Sequence, residues 1–176
     1  MAQRPTQQVL YGSAEMVSPW FSNRWALLSN GQPIASLERF GRLHVSTVSF
    51  PDGTRWLLEP SGSSVVRAID GPDSEFARVT RRSWWGRRWD ITGTGFAYQL
   101  VSHPVPRRWM LAVGGAPIAA ITGSLFSYNT IRFDMTLAVP LPTIVLAWHV
   151  IARPWEAAAA PRGLLPAPRH AVEGTA

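Results

Sequence analysis

Between positions 78 and 89 the chain reads Arg78-Val79-Thr80-Arg81-Arg82-Ser83-Trp84-Trp85-Gly86-Arg87-Arg88-Trp89. That is five arginines and three tryptophans in twelve residues, with no acid among them. An arginine fork binds phosphate through two parallel hydrogen bonds, and tryptophan partitions to the level of lipid headgroups. If Trp84-Trp85-Gly86 caps a hairpin, Arg78, Arg81, Arg82, Arg87 and Arg88 flank the tip as a clamp for an anionic headgroup. The competing structural reading lays Trp84 and Trp85 on the protein wall, with arginine stems covering them.

No other group of residues is arranged for chemistry. His44, His103, His149 and His170 are dispersed, and none pairs with another at metal-ligand spacing. His149 sits in an apolar stretch, where a hydrogen-bonded core histidine is the expectation. Asp70, Asp73 and Glu75 are the densest acids, but they lack the spacing of a calcium loop and read as a turn. The glycines Gly62, Gly93 and Gly95 do not sit where a strand feeds a helix, so phosphate-loop readings fail. No Gly-x-Ser-x-Gly elbow occurs. With no cysteine, a thiol nucleophile, a disulfide and a cysteine-ligated metal are all excluded. The expectation is a non-enzymatic protein without cofactor or metal.

Composition agrees with a folded chain. Of 176 residues, 46% are hydrophobic and 16% charged, which suits one domain with a substantial core. The net charge is +6, and every basic residue is arginine. Absent lysine beside abundant Ala, Gly and Pro reads as the codon bias of a GC-rich bacterial genome. The positive balance favours anionic partners. Met1–Tyr11 lacks the apolar stretch of a signal peptide, so a cytoplasmic location is expected.

Short apolar and β-branched runs must position the arginine segment. They fall at 9–12, 24–29, 33–39, 42–50, 54–59 and 64–70, and continue at 75–81, 87–92, 95–102, 108–113, 117–122 and 129–135. Asn30-Gly31, Asp52-Gly53, Asp70-Gly71 and Gly114-Gly115 are hairpin punctuation between them. Many short strands at close spacing predict a sandwich or barrel. An internal echo favours the barrel: the segment Arg24–Ala35 reappears as Arg108–Ala119, at a constant offset of 84 residues. Arg-Trp also occurs at Arg55-Trp56 and Arg88-Trp89.

Beyond Met135 the texture changes. Thr143–Ala152 is apolar on almost every side, Pro140 and Pro142 suit the approach and first turn of a helix, and Pro154 predicts its end. A helix of about 15–18 Å is too short to cross a bilayer, so it is expected in a protein core. The domain is expected over 9–155 with the helix at about 143–153, after a flexible 1–8 and before a disordered 156–176.

Gly31-Gln32-Pro33-Ile34-Ala35, Gly115-Ala116-Pro117-Ile118-Ala119 and the apolar helix followed by Arg153-Pro154-Trp155 resemble the LURP-one-related group. That group is similar in fold to the Tubby C-terminal domain and the phospholipid scramblases. The resemblance covers roughly Val9 to Trp155. It implies a closed antiparallel β-barrel of about twelve strands around a central hydrophobic C-terminal α-helix. The resemblance also implies a binding module, although the phosphoinositide positions of Tubby domains do not align to this chain. Only Asp134 stands near the helix, which puts a scramblase-like calcium site in doubt. The expected partner is an anionic phospholipid or membrane surface, at the inner face of the membrane; a protein partner is the alternative. Nucleic acid is disfavoured because no motif for it is present.

Overall fold

The computed structural model describes residues 5–19, 22–40, 45–71, 74–84, 87–105, 107–123 and 129–159, with side chains of the last segment through Ala152. Asn30 and Gly31 both take positive φ, 50° and 76°, which makes a two-residue turn whose twist matches the flanking strands. Gly114 and Gly115 repeat it at 55° and 85°. The echo extends to the pairing. The first hairpin shifts register between Leu27 and Leu28, and the second between Leu111 and Ala112, again 84 residues on. At each bulge the residue opposite is a proline, Pro33 or Pro117. A proline cannot donate to the ladder, so the interrupted pairing is where it is tolerated.

A short 3-10 turn, Pro5–Gln7, precedes twelve strands. These are β1 (Val9–Val17), β2 (Arg24–Ser29), β3 (Gln32–Phe40), β4 (Val45–Ser49), β5 (Arg55–Ser61) and β6 (Val65–Ile69). They continue as β7 (Glu75–Arg81), β8 (Arg88–Gly93), β9 (Phe96–Ser102), β10 (Arg108–Val113), β11 (Ala116–Gly123) and β12 (Thr130–Pro140). Each pairs antiparallel with its sequence neighbours, and β1 closes the ring against β12 from Val9↔Pro140 to Val17↔Thr130. Closure removes the exposed edges that would invite association.

Each of the twelve expected runs contains a strand, with some ends corrected; residues 42–44 of the fourth run lie outside the described residues. β1 continues past Gly12, whose φ of 79° marks a break in register, as far as Val17. β12 extends from Met135 to Pro140 and passes into the helix without a loop. The helix, α1 (Leu141–Ala159), is also longer than expected. Pro154 does not end it: its fixed φ of about −65° is compatible with a helical turn, and the backbone continues as helix to Ala159.

Alternation decides what faces inward. In β3, Ala35, Leu37 and Arg39 are buried; in β4, Ser46 and Val48; in β7, Ala77 and Val79. Outward positions carry ion pairs such as Arg24–Glu38, Arg78–Glu75 and Arg132–Asp134. A twelve-stranded barrel is wider than its own wall side chains can fill. Here α1 fills it: every residue from Leu141 to Ala152 is buried. The helix touches β1, β6, β7, β8 and β12, bonds to β3 and β4, and meets Trp25 of β2 through Trp148. Among the described residues, no helix is long and apolar enough to cross a membrane.

Candidate functional site

The two barrel ends differ chemically. At one end lie the two-residue turns at 30–31, 94–95 and 114–115, with Asp52, Asp70 and Glu75 close by. Arg55 is the arginine that starts a strand there. At the opposite end, longer loops join β1 to β2, β7 to β8, β9 to β10 and β11 to β12. Arg24, Arg81, Arg82, Arg87, Arg88, Arg107 and Arg108 gather at this loop end. Glu15, Glu38, Glu59 and Asp90 also stand in the loop-end half, so the two ends differ in balance: arginines outnumber acids at the loop end, and acids outnumber Arg55 at the tight-turn end.

The β7–β8 hairpin carries most of the arginine segment. Ser83 organises its tip: the hydroxyl accepts the backbone N–H of Arg87 at 2.7 Å and of Arg88 at 3.0 Å, while its carbonyl accepts Arg81 Nε at 2.9 Å. The backbone closes beneath, with Arg82 N donating to Arg88 O at 2.9 Å. This clamp leaves Trp84 projecting, 85% exposed, rather than lying on the wall. Trp85 and Gly86 lie outside the described residues.

The segment's arginines are not equivalent. Arg78 stands in mid-strand and is held by Glu75 at 2.6 Å, away from the tip. Arg82 is paired with Asp90 at 2.5 Å. Both carboxylates lie just beyond the acid-free window, which is how the sequence hid them. Arg81, Arg87 and Arg88 are exposed and have no carboxylate partner among the described residues. The hairpin therefore brings together Arg81, Arg87, Arg88 and Trp84, with a neutralised Arg82 beside them.

The neighbouring β9–β10 loop was not singled out from sequence. Val105 is 41% exposed at its tip, and its N–H donates to Nδ1 of exposed His103 at 3.1 Å. Arg108, exposed and without a carboxylate partner among the described residues, opens β10. β9 connects the two loops: Ser102 N donates to Arg87 O at 2.8 Å and His103 N to Arg108 O at 2.9 Å. The missed signal is a repeated tripeptide, Arg87-Arg88-Trp89 and Arg107-Arg108-Trp109. In both, the tryptophan packs on the core, which anchors the arginines at the rim.

A buried polar group lies inside the barrel. Arg39, only 4% exposed, donates from Nη2 to the His149 carbonyl at 2.8 Å and stacks 5.1 Å from the Trp148 ring centre. His149 Nδ1 is hydrogen-bonded to Ser46 Oγ at 3.0 Å. A serine and a histidine at that distance could form a nucleophile and its base. Yet Ser46 is 0% and His149 1% exposed, so wall and helix shut out any reactant. The pair belongs to the core. Among the described residues, no three His, Asp or Glu side chains are placed to share a metal ion.

Fold and site together define a helix-filled, closed antiparallel barrel with an arginine–tryptophan rim at one end. Compared with family models, curated proteins and solved structures, the chain matches none of them.

Proposed function

We propose that this barrel is a non-enzymatic binding module that docks on anionic lipid surfaces through the β7–β8 hairpin. The carrying observation is the tip itself: Trp84 is almost fully exposed beside Arg81, Arg87 and Arg88, which have no carboxylate partner among the described residues. An indole fits the headgroup layer, and each arginine near an anionic leaflet contributes about 1 kcal/mol. The interior, where a barrel of this size would hold a ligand, is occupied by α1 side chains. Charged pairs on the outer wall favour a peripheral position over an embedded one. A helix running through a twelve-stranded ring also supports kinship with the LURP-one-related, Tubby-like and scramblase group.

Sedimentation with vesicles of equal parts phosphatidylcholine and phosphatidylserine tests the docking. Serine at Arg81, Arg82, Arg87 and Arg88 is expected to release the protein from the pellet; undiminished binding overturns the proposal.

A protein-binding scaffold is the second reading, favoured by a different surface. Val9, Tyr11, Val113 and Leu137 are exposed apolar side chains near the tight-turn end of β1, β10 and β12. A stable partner lost on Tyr11→Ser and Leu137→Ser, with no vesicle affinity in the parent, would select it.

A further inference from the structure

We infer that the β9–β10 loop is a second prong of the same docking face, so that the barrel stands on the bilayer with its axis near the membrane normal. This rests on the lipid-docking reading and adds residues, geometry and orientation to it. β8 and β10 flank β9, which puts their backbones about 10 Å apart at the rim. Arg88 lies opposite Val101, and Arg108 is bonded to the backbone of His103. Two arginines so placed address neighbouring phosphates of a flat surface at the same time. Their loops end in exposed apolar residues, Trp84 and Val105, at matching positions beyond the rim.

The imbalance of charge between the two ends points the same way. With Asp52, Asp70 and Glu75 at the tight-turn end, an anionic surface repels that end and attracts the loop end. A barrel lying on its side would bring both ends equally close. Upright docking keeps Asp52, Asp70 and Glu75 roughly a strand length from the headgroups, beyond the Debye length of about 8 Å at physiological salt, while Glu38 and Asp90 at the loop end are already paired with Arg24 and Arg82.

The absence of cysteine makes the test clean, since one introduced thiol is the only labelling site. Trp84→Cys, Val105→Cys and Asp52→Cys are each labelled with a polarity-sensitive fluorophore and mixed with equimolar phosphatidylcholine–phosphatidylserine vesicles. The expected result is a blue shift at 84 and 105 and none at 52. Arg108→Ser is expected to weaken vesicle binding about 5-fold, with a smaller loss at high salt. A shift at 84 without one at 105, together with unchanged affinity of Arg108→Ser, overturns the second prong and leaves the hairpin reading standing. An equal shift at 52 and 105 overturns the upright orientation. No vesicle binding by the parent protein, or a preference for DNA over vesicles, removes the docking reading itself.

Discussion

Arg39 reaches from the barrel wall to the helix and donates to the carbonyl oxygen of His149, 110 residues later, at 2.8 Å. A buried guanidinium that bonds a backbone carbonyl and lies over Trp148 fixes the depth of α1 as well as its rotation. Arg39→Ala is expected to cost about 2–3 kcal/mol, because the hydrogen bond to a charged donor is lost. Arg39→Lys keeps the charge without the planar fork and should recover only part. Urea midpoints of the three proteins decide this; equal midpoints would deny the contact any role.

Trp148 separates packing from polarity. It is fully buried and edge-on to Trp25, with ring centres 6.0 Å apart. Its indole N–H has no hydrogen-bond partner among the described residues. Trp148→Phe is therefore expected to cost only about 1 kcal/mol, whereas Trp148→Ala should cost about 3–5 kcal/mol through the cavity it leaves. Thermal melts of both variants provide the comparison.

Ser83 predicts a local effect. Ser83→Ala deletes the acceptor for two backbone N–H groups at the hairpin tip. Amide exchange should accelerate at Arg87 and Arg88, by about 10-fold for a loss near 1.4 kcal/mol, while strand amides of the core are unchanged. Uniform acceleration across the barrel would contradict this.

Tyr98 gives an alkaline limb. Burial raises its phenol above the ordinary value, because the anion is poorly solvated there. Above about pH 10 the unfolded chain has lost that proton while the folded one keeps it, so stability falls as pH rises. Tyr98→Phe should flatten the fall in midpoint between neutral and strongly alkaline solution.

Gly93 is required for space, not for its dihedral angles. A methyl group built there would come within 2.3 Å of Phe96 Cζ and 3.0 Å of the Phe76 carbonyl. Gly93→Ala is expected to lower stability by about 1–3 kcal/mol, as the Phe96 ring must leave its site. Phe96→Ala in the same chain should remove much of that penalty, which a double-mutant cycle measures.

Strand positions were legible because turn chemistry is local: Asn30-Gly31 and Gly114-Gly115 declare their hairpins in two residues each. β12 was read short because Thr136, Leu137 and Ala138 are all exposed, which breaks the alternation, and because its apolar content merges with that of α1. Arg39 was overlooked as a core residue although it continues the inward series Ala35 and Leu37. Alternation marks the face, yet residue type argued for solvent, and only the helix opposite supplies the acceptor that makes burial tolerable. The pairing of Arg82 with Asp90 crosses a strand register, and a window along the chain cannot anticipate it. The nearness of the two Arg-Arg-Trp segments likewise follows from the ring order of β8, β9 and β10.

The seam between β1 and β12 joins residues 9–17 to residues 130–140, and α1 follows the seam immediately. On a ribosome, eleven strands emerge while both the closing strand and the filling helix are still to be made. The nascent ring stays open, with Trp56, Leu58, Val79 and Ile91 unsheltered until the last piece arrives. Pairing strands so far apart in sequence is slow, so closure of the seam is the step that ends this exposure.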